Sequence, residues 1–155
     1  MEIIVGTNNQ GKLKEMQSGL KDPAIQLVSY RKYTTSQEQP AETGTTYAEN
    51  AYLKARFFQQ LIGRPVLGDD GGLTLTAFPD LLGIHTSRFF HSANSEEQNR
   101  ELLHLFEGQQ STRELTLSAT LVYVLDDDKL LQTEATLTGE LVEPRGTGGY
   151  GFDPI

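Results

Sequence analysis

The chain has 155 residues, no cysteine, and 13 Lys plus Arg against 21 Asp plus Glu, a formal net charge of −8. That length fits a single domain with a sizeable core. The acidity excludes a polymeric nucleic-acid binder, which needs a Lys/Arg-rich face, and the missing cysteines exclude disulfide, zinc-thiolate and thiol chemistry.

Free nucleotides stay open as partners, because a metal ion can bring them to an acidic site. No apolar run approaches the ~18 residues of a membrane span. The N-terminus lacks a basic region followed by an apolar core. A soluble, cytoplasmic protein without a membrane partner is expected. No repeat, low-complexity tract or internal Pro/Gly linker breaks the chain, so residues 1–155 read as one unit.

In chain order, Glu2–Gly6 reads as a short buried strand. Lys12–Leu20 reads as a helix, with Leu13, Met16 and Leu20 at helical spacing. Ile25–Ser29 follows as a second strand, and the polar stretch Arg31–Gly44 as a loop. Thr46–Tyr47–Ala48–Glu49 is a capping box that starts a helix. Ala48, Ala51, Tyr52, Ala55, Phe58 and Ile62 carry its apolar stripe to a stop at Gly63.

Pro65–Gly68 reads as a short strand running into an Asp69–Asp70–Gly71–Gly72 turn, and Leu73–Phe78 as another strand. Ser95–Glu96–Glu97–Gln98 is a second capping box, opening a helix through Phe106. Glu114–Leu125 and Leu130–Val142 alternate about the acidic turn 126–129, a β-hairpin pattern. Early strand–helix units with a later hairpin give an α/β fold with a mixed sheet.

The first stretch with chemical content is Gly6–Thr7–Asn8–Asn9–Gln10–Gly11–Lys12–Leu13. A strand–turn–helix junction offers unpaired N–H groups and a helix N-terminus to phosphate. Gly11 lets the backbone come close, and Lys12 adds a point charge. The glycine–lysine spacing is that of a P-loop, but Leu13 stands where the metal-binding hydroxyl belongs. A bound triphosphate would therefore need its Mg²⁺ held by carboxylates.

Asp69 and Asp70 follow an apolar strand, where α/β proteins place catalytic groups. The plainer reading is a solvated Asp-Gly turn. Glu42 is a candidate second metal carboxylate, or an ordinary loop acid. Asn50 and Lys54 are i, i+4 on one helix face, which reads either as a solvated face or as part of a site. Near the end, Tyr150 and Phe152 sit among glycines before Asp153, as stacking faces for a base or as core aromatics. His85, His91 and His104 lack metal-ligand spacing, and no catalytic role is expected of them.

These stretches come in the order of one family. "TNNQGKLKE", "AETGTTYAENAYLKA", "LGDDGGLTL", "GIHTSRF" and "EPRGTGGYGFDPI" span essentially the whole chain. The sequence resembles the non-canonical purine nucleoside-triphosphate pyrophosphatases, the inosine/xanthosine triphosphatase family. The resemblance implies a two-lobed α/β fold around a long mixed sheet, with flanking helices and nucleotide in the cleft between the lobes. It implies a homodimer. It also implies Mg²⁺-dependent hydrolysis of ITP, dITP and XTP to monophosphate and pyrophosphate, a nucleotide-pool cleaning role.

Matched by position, Thr7, Asn8, Asn9, Gln10, Gly11 and Lys12 hold the triphosphate in that family. Glu42 and Asp70 match the metal acids. Asp70 also matches the general base, and Asp69 its supporting neighbour. Tyr150, Gly151, Phe152 and Asp153 match the base-binding segment, with Tyr150 stacking on the base. Asn50, Lys54 and Gly71 complete the expected substrate-binding set.

The chain departs from the pattern in two places. Gly71 stands where the family usually has Ser. Members also continue some tens of residues past the "FDPI" stretch, in a tail whose Lys and Ser-His-Arg motif read the 6-oxo group. The tail is expected to be missing from the sequence given, which ends at Ile155. Two other readings stay open. One is a non-catalytic nucleotide-binding module. The other is a septum-formation-type pyrophosphatase acting on pyrimidine nucleotides, against which the "GTGGYGFDPI" segment speaks.

Overall fold

A computed structural model describes residues 1–92, 94–146 and 151–155. The elements are β1 (Glu2–Val5), α1 (Gln10–Gly19), β2 (Gln26–Ser29), α2 (Tyr47–Ile62), β3 (Val66–Leu75), α3 (Thr86–Phe89), α4 (Ser95–His104), β4 (Glu114–Val124) and β5 (Leu130–Glu140), with 3₁₀ turns at Tyr30–Lys32 and Gly83–His85. The strands lie in the order β2-β1-β3-β4-β5. This is the expected α/β fold with a mixed sheet.

The chain divides into two compact units. The first comprises Met1–Asp70 and Ala119–Ala135, the second Gly71–Ser118 and Thr136–Ile155.

In the first unit β1 lies between two parallel partners. Val5 sits opposite Ser29 of β2 and opposite Leu67 of β3. The Gly6 N–H extends the second ladder by donating to the Leu67 carbonyl at 2.8 Å. Side chains alternate across the strands. Val5, Leu27 and Leu67 pack on Leu13 and Met16 of α1, while Ile4, Val28 and Val66 pack with Tyr30 and Phe58. Helix α2 is bounded as its sequence predicts. The Thr46 hydroxyl accepts from the Glu49 N–H, and Gly63 ends the helix at φ +70°. That left-handed conformation suits glycine.

The second unit has its own core of Leu73, Leu75, Leu82, Phe90, Leu102, Phe106, Leu115 and Leu141. The Thr86 hydroxyl splices the "GIHTSRF" stretch onto β3. It accepts from the Leu73 N–H at 2.9 Å and donates to the Gly83 carbonyl at 2.6 Å.

Three local expectations need correction. Asp69–Asp70–Gly71–Gly72 is not a turn, because β3 runs through it without a break. Asn94, not Ser95, caps α4, its Oδ1 accepting from the Glu96 and Glu97 N–H groups. The Gln98 side chain turns instead to the Ser92 carbonyl. Finally, the alternation in β5 marks no buried face, since every residue from Leu130 to Glu140 is exposed.

Candidate active site

The strand register decides where the polar groups gather. Parallel β2 and β1 end side by side, at Ser29 and Val5, level with Leu67 of β3, which runs on past them. Their continuations therefore emerge together: Tyr30–Arg31 from β2, Gly6–Asn9 from β1, and Gly68–Asp70 along β3. Ligands of open α/β sheets bind at this carboxyl edge.

The β1 continuation is a hydrogen-bonded corner. Thr7 is buried, and its hydroxyl accepts from the Asn9 N–H at 3.2 Å. Asn9 caps α1 by accepting from the Lys12 N–H at 3.1 Å. Helix α1 thus starts at Gln10, two residues before the expected start at Lys12, and Gln10 and Gly11 lie in its first turn. Asn8 is held from both ends of its amide. Its Oδ1 accepts from the Tyr30 hydroxyl and from Arg31 Nη2 at 3.1 Å, and its Nδ2 donates to Gln39 Oε1 at 2.5 Å.

Because β3 continues through the acidic pair, Asp69 and Asp70 point to opposite faces. Asp69 lies on the α1 side, where Lys12 Nζ donates to its Oδ2 at 2.6 Å. Asp69 is only 4% exposed, and its Oδ1 has no hydrogen-bond partner among the described residues. Asp70 lies on the α2 side. Lys54 Nζ lies 3.2 Å from Asp70 Oδ1 and 2.9 Å from Glu42 Oε1. The two acids are thus a built pair, not a solvated turn.

Burial pushes the Lys54 ammonium down. The hydrogen bond it donates to Glu42 and the fields of Asp70, Asp69 and Glu42 outweigh it, so the group sits above the ordinary lysine value.

Glu42 is brought in by a loop anchored on α2. Asn50 is fully buried, and its Oδ1 accepts from the Gly44 N–H at 2.8 Å. Asn50 is therefore a bracket for the acidic loop, not part of a solvated helix face. Gly68 makes a second close approach. A Cβ there would lie 2.1 Å from the Ala51 carbonyl oxygen. The absence of that atom lets β3 lie directly against the turn of α2 that precedes Lys54.

Two carboxylate oxygens from separate segments converge on one ammonium, which stands in for a cation. The pair fits Mg²⁺, which takes one or two carboxylates and fills its remaining positions with water and phosphate oxygens. Among the described residues no group of three or more His, Asp or Glu could hold a metal by itself.

Gly71, Gly151, Phe152 and Asp153 belong to the second unit. Phe152 packs on Phe90 at 5.6 Å between ring centroids, and the Gly151 carbonyl accepts from Asn99 Nδ2 at 3.2 Å. Tyr150 lies outside the described residues. Tyr30, Arg31 and Gln39 were missed by the sequence reading. They lie at the start of, or within, a polar segment that carries no periodic signal. Their position after β2 is the only cue, and it depends on the strand order.

Lysines and carboxylates at the carboxyl edge of parallel strands, beside a helix N-terminus, define an α/β enzyme of phosphate chemistry. The chain belongs to the Ham1 family, whose model matches residues 3–155.

A dITP/XTP pyrophosphatase of Deinococcus deserti is 34% identical over 155 residues, covering 99% of this chain and 72% of that protein. The dITP/XTP pyrophosphatase of Thermus thermophilus is 33% identical over 160 residues, covering 100% and 75%. Among solved structures, a HAM1 protein from Coxiella burnetii matches with a TM-score of 0.81 at 32% identity, covering all of this chain and 80% of that one. The Staphylococcus aureus Ham1 protein gives 0.78 at 26% identity, with the same coverage.

Proposed function

We propose that this protein is a Mg²⁺-dependent pyrophosphatase of non-canonical purine nucleoside triphosphates, taking ITP, dITP and XTP to the monophosphate and pyrophosphate. The observation that carries this reading is the pair of lysine–carboxylate clusters at the strand ends, Lys12 with Asp69 and Lys54 with Glu42 and Asp70. The activity named for the relatives supports it.

Thr7, Asn9, Gln10, Gly11 and Lys12 shape the triphosphate seat, with Asn8 as its fixed corner. The N-terminus of α1 offers its dipole to anionic oxygens, while the Lys12 N–H is taken by the Asn9 cap. Asp70 orients and deprotonates the water that attacks the α-phosphorus. Asp69 holds Lys12 in place, and Lys12 offsets charge on the departing pyrophosphate. Lys54 meets the phosphate oxygens from the α2 side, and Asn50 keeps Glu42 within its reach.

Glu42 and Asp70 would hold Mg²⁺, which when bound neutralises phosphate charge. Gly71 leaves room beside the acids. Tyr150, Gly151, Phe152 and Asp153 form the base-binding segment. We further propose one functional domain, acting as a homodimer in the cytoplasm.

The test is pyrophosphate release from dITP and XTP, with and without Mg²⁺. Release of orthophosphate in place of pyrophosphate, or no release from any purine triphosphate, would overturn the reading.

A further inference from the structure

We infer that Arg31 is a direct ligand of the substrate's polyphosphate chain, at the Asn8 corner of the loop; this rests on the nucleoside-triphosphate reading above. The argument starts from charge. In the acidic cluster two ammonium groups, Lys12 and Lys54, face three carboxylates, Asp69, Asp70 and Glu42. Internal anions already offset the charge that those cations bring to the phosphates. A triphosphate carries several negative charges, and a net charge of −8 does nothing to attract it.

Arg31 differs from both lysines. Its contacts are all neutral: Nη2 donates to Asn8 Oδ1 at 3.1 Å, Nη1 donates to the Ser36 carbonyl at 2.8 Å, and the guanidinium lies 4.8 Å from the Tyr30 ring centroid. Among the described residues it pairs with no carboxylate. Its charge is therefore uncancelled, and the residue is exposed. The guanidinium has more N–H donors than these contacts use, and its planar fork matches phosphate oxygens.

Its placement is fixed. Tyr30 is fully buried, its ring tilted 33° against that of Phe58 at 4.0 Å between centroids, and its hydroxyl donates to Asn8 Oδ1. Gln39 closes the ring by donating to the Tyr30 hydroxyl at 3.2 Å. The next residue, Arg31, is thereby held against the phosphate loop. The parallel register puts it at the same sheet edge as Lys12 and Asp70.

The experiment compares wild type, Arg31→Gln and Arg31→Lys in binding inorganic tripolyphosphate and inosine, over a range of salt. Arg31→Gln is expected to bind tripolyphosphate about tenfold more weakly at low salt, with a shallower salt dependence. Its inosine affinity should be unchanged. Arg31→Lys should fall between, since it keeps the charge and loses the fork. In turnover, the Arg31→Gln loss should appear as a raised KM for ITP.

Unchanged tripolyphosphate affinity in Arg31→Gln, or equal losses for tripolyphosphate and inosine, would overturn the inference. A wild type that fails to hydrolyse ITP but binds tripolyphosphate through Arg31 would sink the proposed activity and leave the Arg31 site standing.

Discussion

The Lys12 ammonium lies 2.6 Å from Oδ2 of Asp69, 57 positions further along the chain. Adjacent to it, Asp70 engages Lys54 from a different helix. Strand geometry sends neighbouring residues to opposite faces, so one acidic dipeptide serves two helices. In the proposed mechanism Asp69 fixes the phosphate lysine, which leaves Asp70 to meet the metal and the water.

This division predicts two separable losses in Lys12→Ala. Triphosphate affinity should fall far more than inosine affinity, because Lys12 stands at a helix start. Stability should also fall, by roughly 1–3 kcal/mol, because Asp69 is left as a buried carboxylate without a donor. Adding Asp69→Asn to Lys12→Ala should recover part of the stability and none of the affinity. Denaturant titration of the two single variants and the double variant measures the coupling. Additive stability losses would mean the pair contributes nothing.

Asp70→Asn should reduce pyrophosphate release by at least ~10²-fold, the scale of a lost general base or metal ligand. Asn keeps the size and most of the hydrogen bonding, so the fold should persist. The check is turnover of dITP alongside a melting curve. Turnover like wild type in a well-folded variant would take Asp70 out of the chemistry.

The sequence was readable where structure is local. The Thr46 cap and the Gly63 stop of α2 rest on contacts within one helical turn, and both hold. The start of α1 came out late because Gln10 and Gly11 carry no apolar period, although Asn9 is an ordinary cap. Asp-Asp-Gly-Gly has low strand propensity, yet it continues β3. Lysines from α1 and α2 neutralise the acids, and parallel pairing with β1 holds the strand's first residues.

The role of Asn50 was hidden for a similar reason. Its spacing to Lys54 could be read, but its burial depends on a loop N–H at Gly44. The Tyr30–Arg31–Gln39 bracket on Asn8 needs the strand order before it can be seen at all.

Glu49 predicts an acid-side effect. The Thr45 N–H and then the Thr45 hydroxyl donate to its carboxylate, holding it below the ordinary value of 4.5. A depressed folded value means the contribution is present above the unfolded value and is lost as pH falls through the folded one. Glu49→Gln should therefore melt below wild type near neutral pH. The two curves should converge on the acid side of 4.5. A difference that persists unchanged into acid would assign the effect to packing, not to ionisation.

The last prediction links backbone packing to the site. At Gly68 an added Cβ would lie 2.1 Å from the Ala51 carbonyl oxygen and 2.7 Å from the Ala55 nitrogen. Both are backbone atoms in the middle of α2, so no side-chain rotation relieves the clash. The helix must move away from β3, and overpacking of this kind costs roughly 1–3 kcal/mol or more. Lys54 sits on that helix between Glu42 and Asp70, and Asn50, one turn earlier, holds the loop that carries Glu42. Gly68→Ala should therefore lower the melting temperature and also raise the Mg²⁺ concentration needed for half-maximal turnover, although residue 68 bears no functional group. Gly19→Ala is the control: a Cβ there meets nothing within 4 Å, so the melting temperature should not fall and the Mg²⁺ requirement should stay at its wild-type value. If Gly68→Ala lowers stability while the Mg²⁺ requirement is unchanged, the β3–α2 approach supports the fold without setting the geometry of the acids.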